Sequence, residues 1–168
     1  QLAGVYLKTA KAPILSPLSS FKVKKNMDQN FKISENSELQ CSIAEFYETK
    51  CKLDSGVEIN HFKIAFKTYG KLNSAKNNAI LICHALTGDQ YVSGTNPLTN
   101  KDGWWSRMVG PNKPIDTNKF FVICSNVLGG CSGTSGPKEF NELSKSSFGL
   151  DFPSVTIKDM VKAQHYLI

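Results

Sequence analysis

Two short apolar runs, Ala79-Ile80-Leu81-Ile82-Cys83 and Phe120-Phe121-Val122-Ile123-Cys124, constrain the fold of this chain more than any other feature. Both are far shorter than the roughly 20 residues a membrane span requires. Neither carries a charged or amide side chain, so neither can leave one face in water as a half-buried strand does. Continuous runs of this length mark strands covered on both faces, as in a sheet flanked by helices. The second follows the first after about 40 residues, across a loop region His84 to Asn118 that holds glycines, prolines and the pair Trp104-Trp105. Both runs are expected as buried strands of one parallel sheet.

Upstream the pattern alternates instead. Cys41–Leu53 has strand-like apolar spacing, and Asp54-Ser55-Gly56 supplies a turn. Val57, Ile59, Phe62, Ile64 and Phe66 then nearly alternate with polar or small residues. This reads as an antiparallel hairpin with one buried face. Residues 27–40 are polar and read as irregular. At the other end, Ser154–Ile168 is the clearest helix. Thr156 with Asp159 three residues later makes a capping-box pattern, and Ile157, Met160, Val161, Leu167 and Ile168 are expected on one apolar stripe. A doubly wound unit calls for a return strand after its helix, so the chain reads as cut within its fold.

Composition enters where it excludes partners. The net charge is +6, yet Lys8, Lys11, Lys22, Lys24 and Lys25 account for nearly all of it, leaving 15 basic against 14 acidic groups from residue 27 onward. Arg107 is the only arginine, so the bidentate donor that nucleic-acid recognition favours is almost absent. Nucleic acid and membrane are not expected partners. The five cysteines form no CxxC pair, which excludes a zinc ribbon, and their odd number favours reduced thiols in a cytoplasm. Residues 1–26 have no clean apolar segment ending in a cleavage site and do not read as a signal peptide. Met27 is the first methionine. A poorly ordered tail over 1–40 and a partial catalytic domain over 41–168 are the expected organisation.

Two loops carry the candidate chemistry. Cys83-His84-Ala85-Leu86-Thr87-Gly88 stands where a buried strand empties into a loop, the place where open α/β sheets hold ligands. The residues alone favour the plainer reading, a buried strand end with a hydrogen-bonded histidine. Gly129-Gly130-Cys131-Ser132-Gly133-Thr134-Ser135-Gly136-Pro137 lacks the Gly-Lys-Ser/Thr ending of a phosphate loop. It also lacks G-x-S-x-G, so neither Ser132 nor Ser135 sits on a nucleophile elbow. A tight turn using glycine, or a wall of a substrate pocket, is the expected role. His61 reads as a strand position, His165 as helix surface, and Trp104-Trp105 as packing first and pocket wall second.

Together these strings are more specific than any one. His84-Ala-Leu-Thr-Gly-Asp89, Gly103-Trp-Trp, Met108-Val-Gly-Pro111, Phe121 through Cys131, Gly133-Thr-Ser-Gly-Pro137, Phe148–Pro153 and Thr156-Ile-Lys-Asp-Met160 occur in this order in homoserine O-acetyltransferases. The stretch Gly56–Gly70 also resembles that family, and the resemblance runs from about residue 41 onward. It implies an α/β-hydrolase fold, here the N-terminal part of its core sheet: an antiparallel hairpin, then parallel strands with a flanking helix, ending before the nucleophile elbow. It implies transfer of an acetyl group from acetyl-CoA to the hydroxyl of L-homoserine through an acyl-serine intermediate, in methionine biosynthesis. The elbow serine and its Asp and His fall beyond Ile168 in that pattern. Carried over by position, the backbone N–H of Leu86 is the oxyanion donor, with His84, Ala85 and Thr87 holding its loop. Gly129, Gly130, Cys131, Gly133 and Thr134 would line the acyl or substrate pocket. Acetyl-CoA enters as co-substrate, with no metal or other cofactor, in a cytoplasmic homodimer. A serine acetyltransferase, a succinyl-transferring relative, an esterase and an inactive fragment are the alternatives.

Overall fold

The structure is a computed structural model that describes residues 4–7, 30–141 and 143–168. Its longer strands are β1 (Gly4–Leu7), β2 (Asn30–Asn36), β3 (Cys41–Tyr47), β4 (Phe62–Tyr69), β5 (Ala79–Cys83) and β6 (Phe121–Ser125), followed by helix α1 (Ile157–Leu167). The chain divides into two compact units, and β4 changes unit between Ala65 and Phe66.

The unit built on residues 66–125 holds the two apolar runs. They form β5 and β6, which pair in parallel with Val122 opposite Ile80 and Cys124 opposite Ile82. Every residue of β6 is buried, as its unbroken apolar sequence requires. The strand order in this unit is β1-β5-β6-β4, with β1 antiparallel to β5 and β6 antiparallel to the second half of β4. Ile80, Ile82, Val92, Val109, Val122 and Cys124 make its core, closed by Tyr69, Trp105, Met108, Ile115 and Phe120. Strand β1 comes from the lysine-rich stretch that the sequence gives no reason to place in a sheet.

The second unit holds β2, β3, the first half of β4, residues 126–167 and therefore α1. The expected hairpin is present. Leu53 N–H donates to Val57 O across the Asp54-Ser55-Gly56 turn, and Gly56 adopts the left-handed φ of +87° that the turn requires. Residues 30–36 correct the irregular reading of 27–40. They form β2, antiparallel to β3, with Phe31 opposite Phe46 and Ile33 opposite Ala44. Two apolar residues at strand spacing are a weak local signal, and their cross-strand partners supply the rest. The expectation of a poorly packed tail otherwise falls on residues 1–3 and 8–29, outside the described residues, as does Met27.

Aromatic rings form the centre of this unit. Phe46 stacks on Phe62 at 4.9 Å between centroids, and Tyr166 of α1 meets Phe62 edge-on at 5.6 Å. Phe46 and Phe62 are each 1% exposed, and burying each contributes about 1.5–3 kcal/mol.

Helix α1 starts as expected and faces otherwise. Thr156 Oγ1 accepts from Asp159 N–H at 3.2 Å while the Asp159 carboxylate accepts from Thr156 N–H at 3.0 Å, a reciprocal capping box. The buried line along α1 is Asp159, Ala163 and Leu167, while Ile157 and Val161 of the expected stripe are exposed. Positions two residues apart differ by about 200° around a helix, so burying Asp159 turns Ile157 and Val161 away. A charged residue at the buried position is what the apolar pattern could not anticipate.

Candidate functional site

The loop His84–Asp89 leaves the C-terminal end of β5, and its geometry turns on one carbonyl. Gly88 N–H donates to Ala85 O at 2.7 Å, closing a turn with Leu86 and Thr87 at its corners. His84, 9% exposed, places Nδ1 2.6 Å from the same oxygen. A carbonyl oxygen only accepts, so Nδ1 carries the proton. A side chain at Gly88 would press on Ala85 O and His84 Cβ, both 3.1 Å from a Cβ there. The side chains of Leu86 and Thr87 are exposed, and among the described residues nothing accepts the Leu86 N–H. The structure thus brings His84, Ala85 and Leu86 together around one peptide group, and leaves that amide unpaired.

Asp89 fixes the far end of this loop, a role the sequence reading missed although the residue stood inside the motif. Its carboxylate accepts Tyr91 N–H at 2.9 Å and Asn96 Nδ2–H at 2.8 Å. Its carbonyl accepts the Trp104 indole N–H at 3.0 Å and the Cys124 thiol at 3.8 Å. Burial pushes that thiol well above the usual cysteine range, so it remains a neutral donor. Trp105 packs on the core, whereas Trp104 stacks on it at 5.7 Å and stays 38% exposed. The expectation of packing holds for Trp105, and Trp104 is a ring with its N–H satisfied and a face open.

In the other unit the glycine-rich loop is strapped to β4. Ser135 N–H donates to Lys63 O, and Ser135 Oγ accepts from Lys63 N–H, both at 2.9 Å. Thr134 Oγ1 accepts from Ala65 N–H at 2.9 Å and donates to Asn126 O at 3.1 Å. Gly129 N–H closes on Ser135 O at 2.8 Å. Gly133, at φ +100°, lies so close to Leu39, Ala65 and Ile43 that a Cβ has no room. These hydroxyls satisfy a strand backbone, and neither Ser132 nor Ser135 is exposed. Gly130, Cys131, Gly133 and Thr134 line a cavity of about 430 Å³, whereas Gly129 does not. Glu45, Lys63 and Glu139 also line it. Lys63 Nζ lies 3.1 Å from Glu139 and 3.9 Å from Glu45, and Glu45 also accepts from Tyr47 and faces His61. The hydrogen bond from Tyr47 holds the Glu45 carboxyl below the usual range despite partial burial. His61 stands one residue before β4 and is exposed, and His165 is on the exposed face of α1. No group of three or more metal-ligating side chains occurs among the described residues.

No family model matches the chain. Curated proteins do. The homoserine O-acetyltransferase of Mesorhizobium japonicum is 58% identical over 117 residues, covering 70% of this chain and 30% of that protein. Among solved structures, esterase E22 superposes with a TM-score of 0.61 at 32% identity, over 83% of this chain and 36% of its own. A homoserine O-acetyltransferase from Bacillus anthracis gives the same score at 29% identity, over 84% and 36%. A mixed sheet with these neighbours is part of an α/β-hydrolase fold. Over the matched stretch the chain is homologous to homoserine O-acetyltransferases. It spans about 30% of the length of the curated relatives it matches.

Proposed function

We propose that this chain is the oxyanion-bearing part of an acyltransferase that moves an acetyl group from acetyl-CoA to the side-chain hydroxyl of L-homoserine. The observation that carries this is the Leu86 N–H, which no group among the described residues accepts, in an exposed residue just past the end of a parallel strand. A tetrahedral intermediate needs a donor fixed in advance where its negative charge develops. The thioester carbonyl would be attacked by a serine oxygen, the C–S bond would break to release CoA as thiol, and the homoserine oxygen would then take the acyl group and return the serine. No serine in these 168 residues lies in a G-x-S-x-G sequence, and the hydroxyls of Thr134 and Ser135 hold β4 instead. The nucleophile, its histidine and its aspartate therefore belong to further sequence, in a cytoplasmic homodimer serving methionine biosynthesis. Gly130, Cys131, Gly133 and Thr134 are the proposed pocket wall. The protein needs no metal or cofactor beyond acetyl-CoA.

The test follows free CoA after mixing acetyl-CoA and homoserine with the 168-residue chain and with its continuation through a serine elbow. Only the longer protein is expected to turn over. Turnover by the short chain that disappears in Ser132→Ala or Ser135→Ala would overturn the assignment. Succinyl-CoA, serine and water as competing substrates separate the transferase readings from the esterase that several structural neighbours are named for.

A further inference from the structure

We propose that His84 is a positioning residue whose Nδ1–H sets the direction of the Leu86 amide through the Ala85 carbonyl. This deepens the oxyanion reading and rests on it. The Ala85 C=O and the Leu86 N–H belong to one planar trans peptide group and point in opposite directions from it. Whatever fixes the oxygen therefore aims the amide. Two donors fix it: Gly88 N–H at 2.7 Å and His84 Nδ1 at 2.6 Å. Gly88 alone closes the turn with one hydrogen bond, and a second donor on the same oxygen adds a second restraint on the peptide plane. The second donor comes from a ring that is 9% exposed.

The other ring nitrogen supports this assignment. His84 Nε2 is buried and has no hydrogen-bond partner among the described residues, so the Nδ1 contact is the polar bond that orients the ring. A buried acceptor left unsatisfied is tolerated where the geometry it accompanies serves a purpose. Here that geometry holds the proton on Nδ1, since the neutral ring carries one proton and Ala85 O accepts it.

The test uses the full-length protein and the relation between amide side chains and imidazole. An asparagine amide nitrogen stands as many bonds from Cβ as Nδ1, and a glutamine amide nitrogen as many as Nε2. His84→Asn is expected to keep a donor on Ala85 O, and His84→Gln to lose it. The expected result is a kcat at least about tenfold higher for His84→Asn than for His84→Gln at unchanged KM, within the ~10²–10³ that losing a whole oxyanion donor costs. Equal kcat values, or the better value in His84→Gln, would overturn the proposal. Leu86→Pro is the separate control on the underlying reading, because proline suits the first corner of a turn and lacks the N–H. Retained kcat in Leu86→Pro sinks the oxyanion reading itself, whereas its loss alongside equal His84 variants sinks only the role of His84. If His84→Gln does not fold, the ¹⁵N shifts of the wild-type ring decide. A protonated Nδ1 with a bare Nε2 supports the proposal, and the opposite tautomer overturns it.

Discussion

The Asp159 carboxylate in the first turn of α1 accepts the main-chain N–H of Asp54, 105 residues earlier in sequence, at 3.0 Å. The same carboxylate accepts from Thr156 N–H and faces Lys162 Nζ at 3.3 Å, so one buried acid caps the helix and ties it to the hairpin turn. Removing it strands two backbone donors, while Lys162 keeps the Asp54 carboxylate and Lys52 O. Asp159→Ala is expected to destabilise the fold by about 2–4 kcal/mol in urea unfolding, and Asp159→Asn by less.

The pH response follows from the same bonds. Burial by itself would raise the Asp159 carboxyl, but hydrogen bonds from Thr156 and Asp54 N–H and from Lys162 outweigh it and hold it below the usual range. A depressed carboxyl contributes stability that is present above its unfolded value, about 4, and is lost as pH falls through its folded value. Wild-type protein should lose more stability than Asp159→Asn between about pH 5 and 2, read by urea midpoints at each pH.

Gly70 and Gly56 both adopt positive φ, +75° and +87°, but differ in what surrounds them. A Cβ on Gly70 would lie 2.2 Å from Phe120 O and 2.5 Å from Thr117 O, whereas Gly56 faces open space. Gly56→Ala is expected to cost about 1 kcal/mol, the left-handed penalty alone. Gly70→Ala must also move backbone, and a loss of about 3 kcal/mol or more is expected from thermal unfolding.

Ser135→Ala removes the hydroxyl that accepts Lys63 N–H and should cost about 1–2 kcal/mol of stability. Acetyl transfer by the full-length protein should fall only as far as the folded fraction falls. A loss of CoA release with the folded fraction intact would make this hydroxyl part of the chemistry.

Tyr69 gives a test from the alkaline side. Its hydroxyl donates to Gln90 O at 3.3 Å and accepts Ser93 N–H at 3.2 Å, and burial pushes its pKa up to about 12. A phenol with a raised folded value contributes stability that is complete below about pH 10 and lost as pH rises toward 12. Tyr69→Phe should flatten that alkaline loss, measured by thermal midpoints from pH 9 to 12.

What the sequence made legible was what local pattern dictates. The runs at Ala79 and Phe121 read as strands of one parallel pair and form it, although Leu81 and Cys83 of the first are only half-buried, and Thr156 with Asp159 had to start a helix. Asp159 as a buried residue was not legible, because its partner Asp54 is reached only through the fold. Strand β2 escaped for a related reason: Phe31 and Ile33 gain meaning only opposite Phe46 and Ala44. In the candidate site, motif identity pointed to Leu86, but the pairing of two donors on Ala85 O is a three-dimensional fact. Sequence pattern alone takes Ser132 and Ser135 off any nucleophile elbow, and the service of the Thr134 and Ser135 hydroxyls to β4 needed the structure.

The change of unit within β4 has a bearing on synthesis. Residues 66–125 are contiguous and can close on themselves soon after they leave the ribosome, which delivers about 5–20 residues per second. The other unit combines residues 28–65 with 126–167, so its earlier half must wait for its later half to be translated. During those seconds Phe46 and Phe62 lack the Tyr166 ring, and Lys63 and Ala65 lack the hydroxyls that will satisfy their amides. The nascent hairpin is thus the segment a chaperone would meet, and slowing translation across 126–167 would lengthen its exposure.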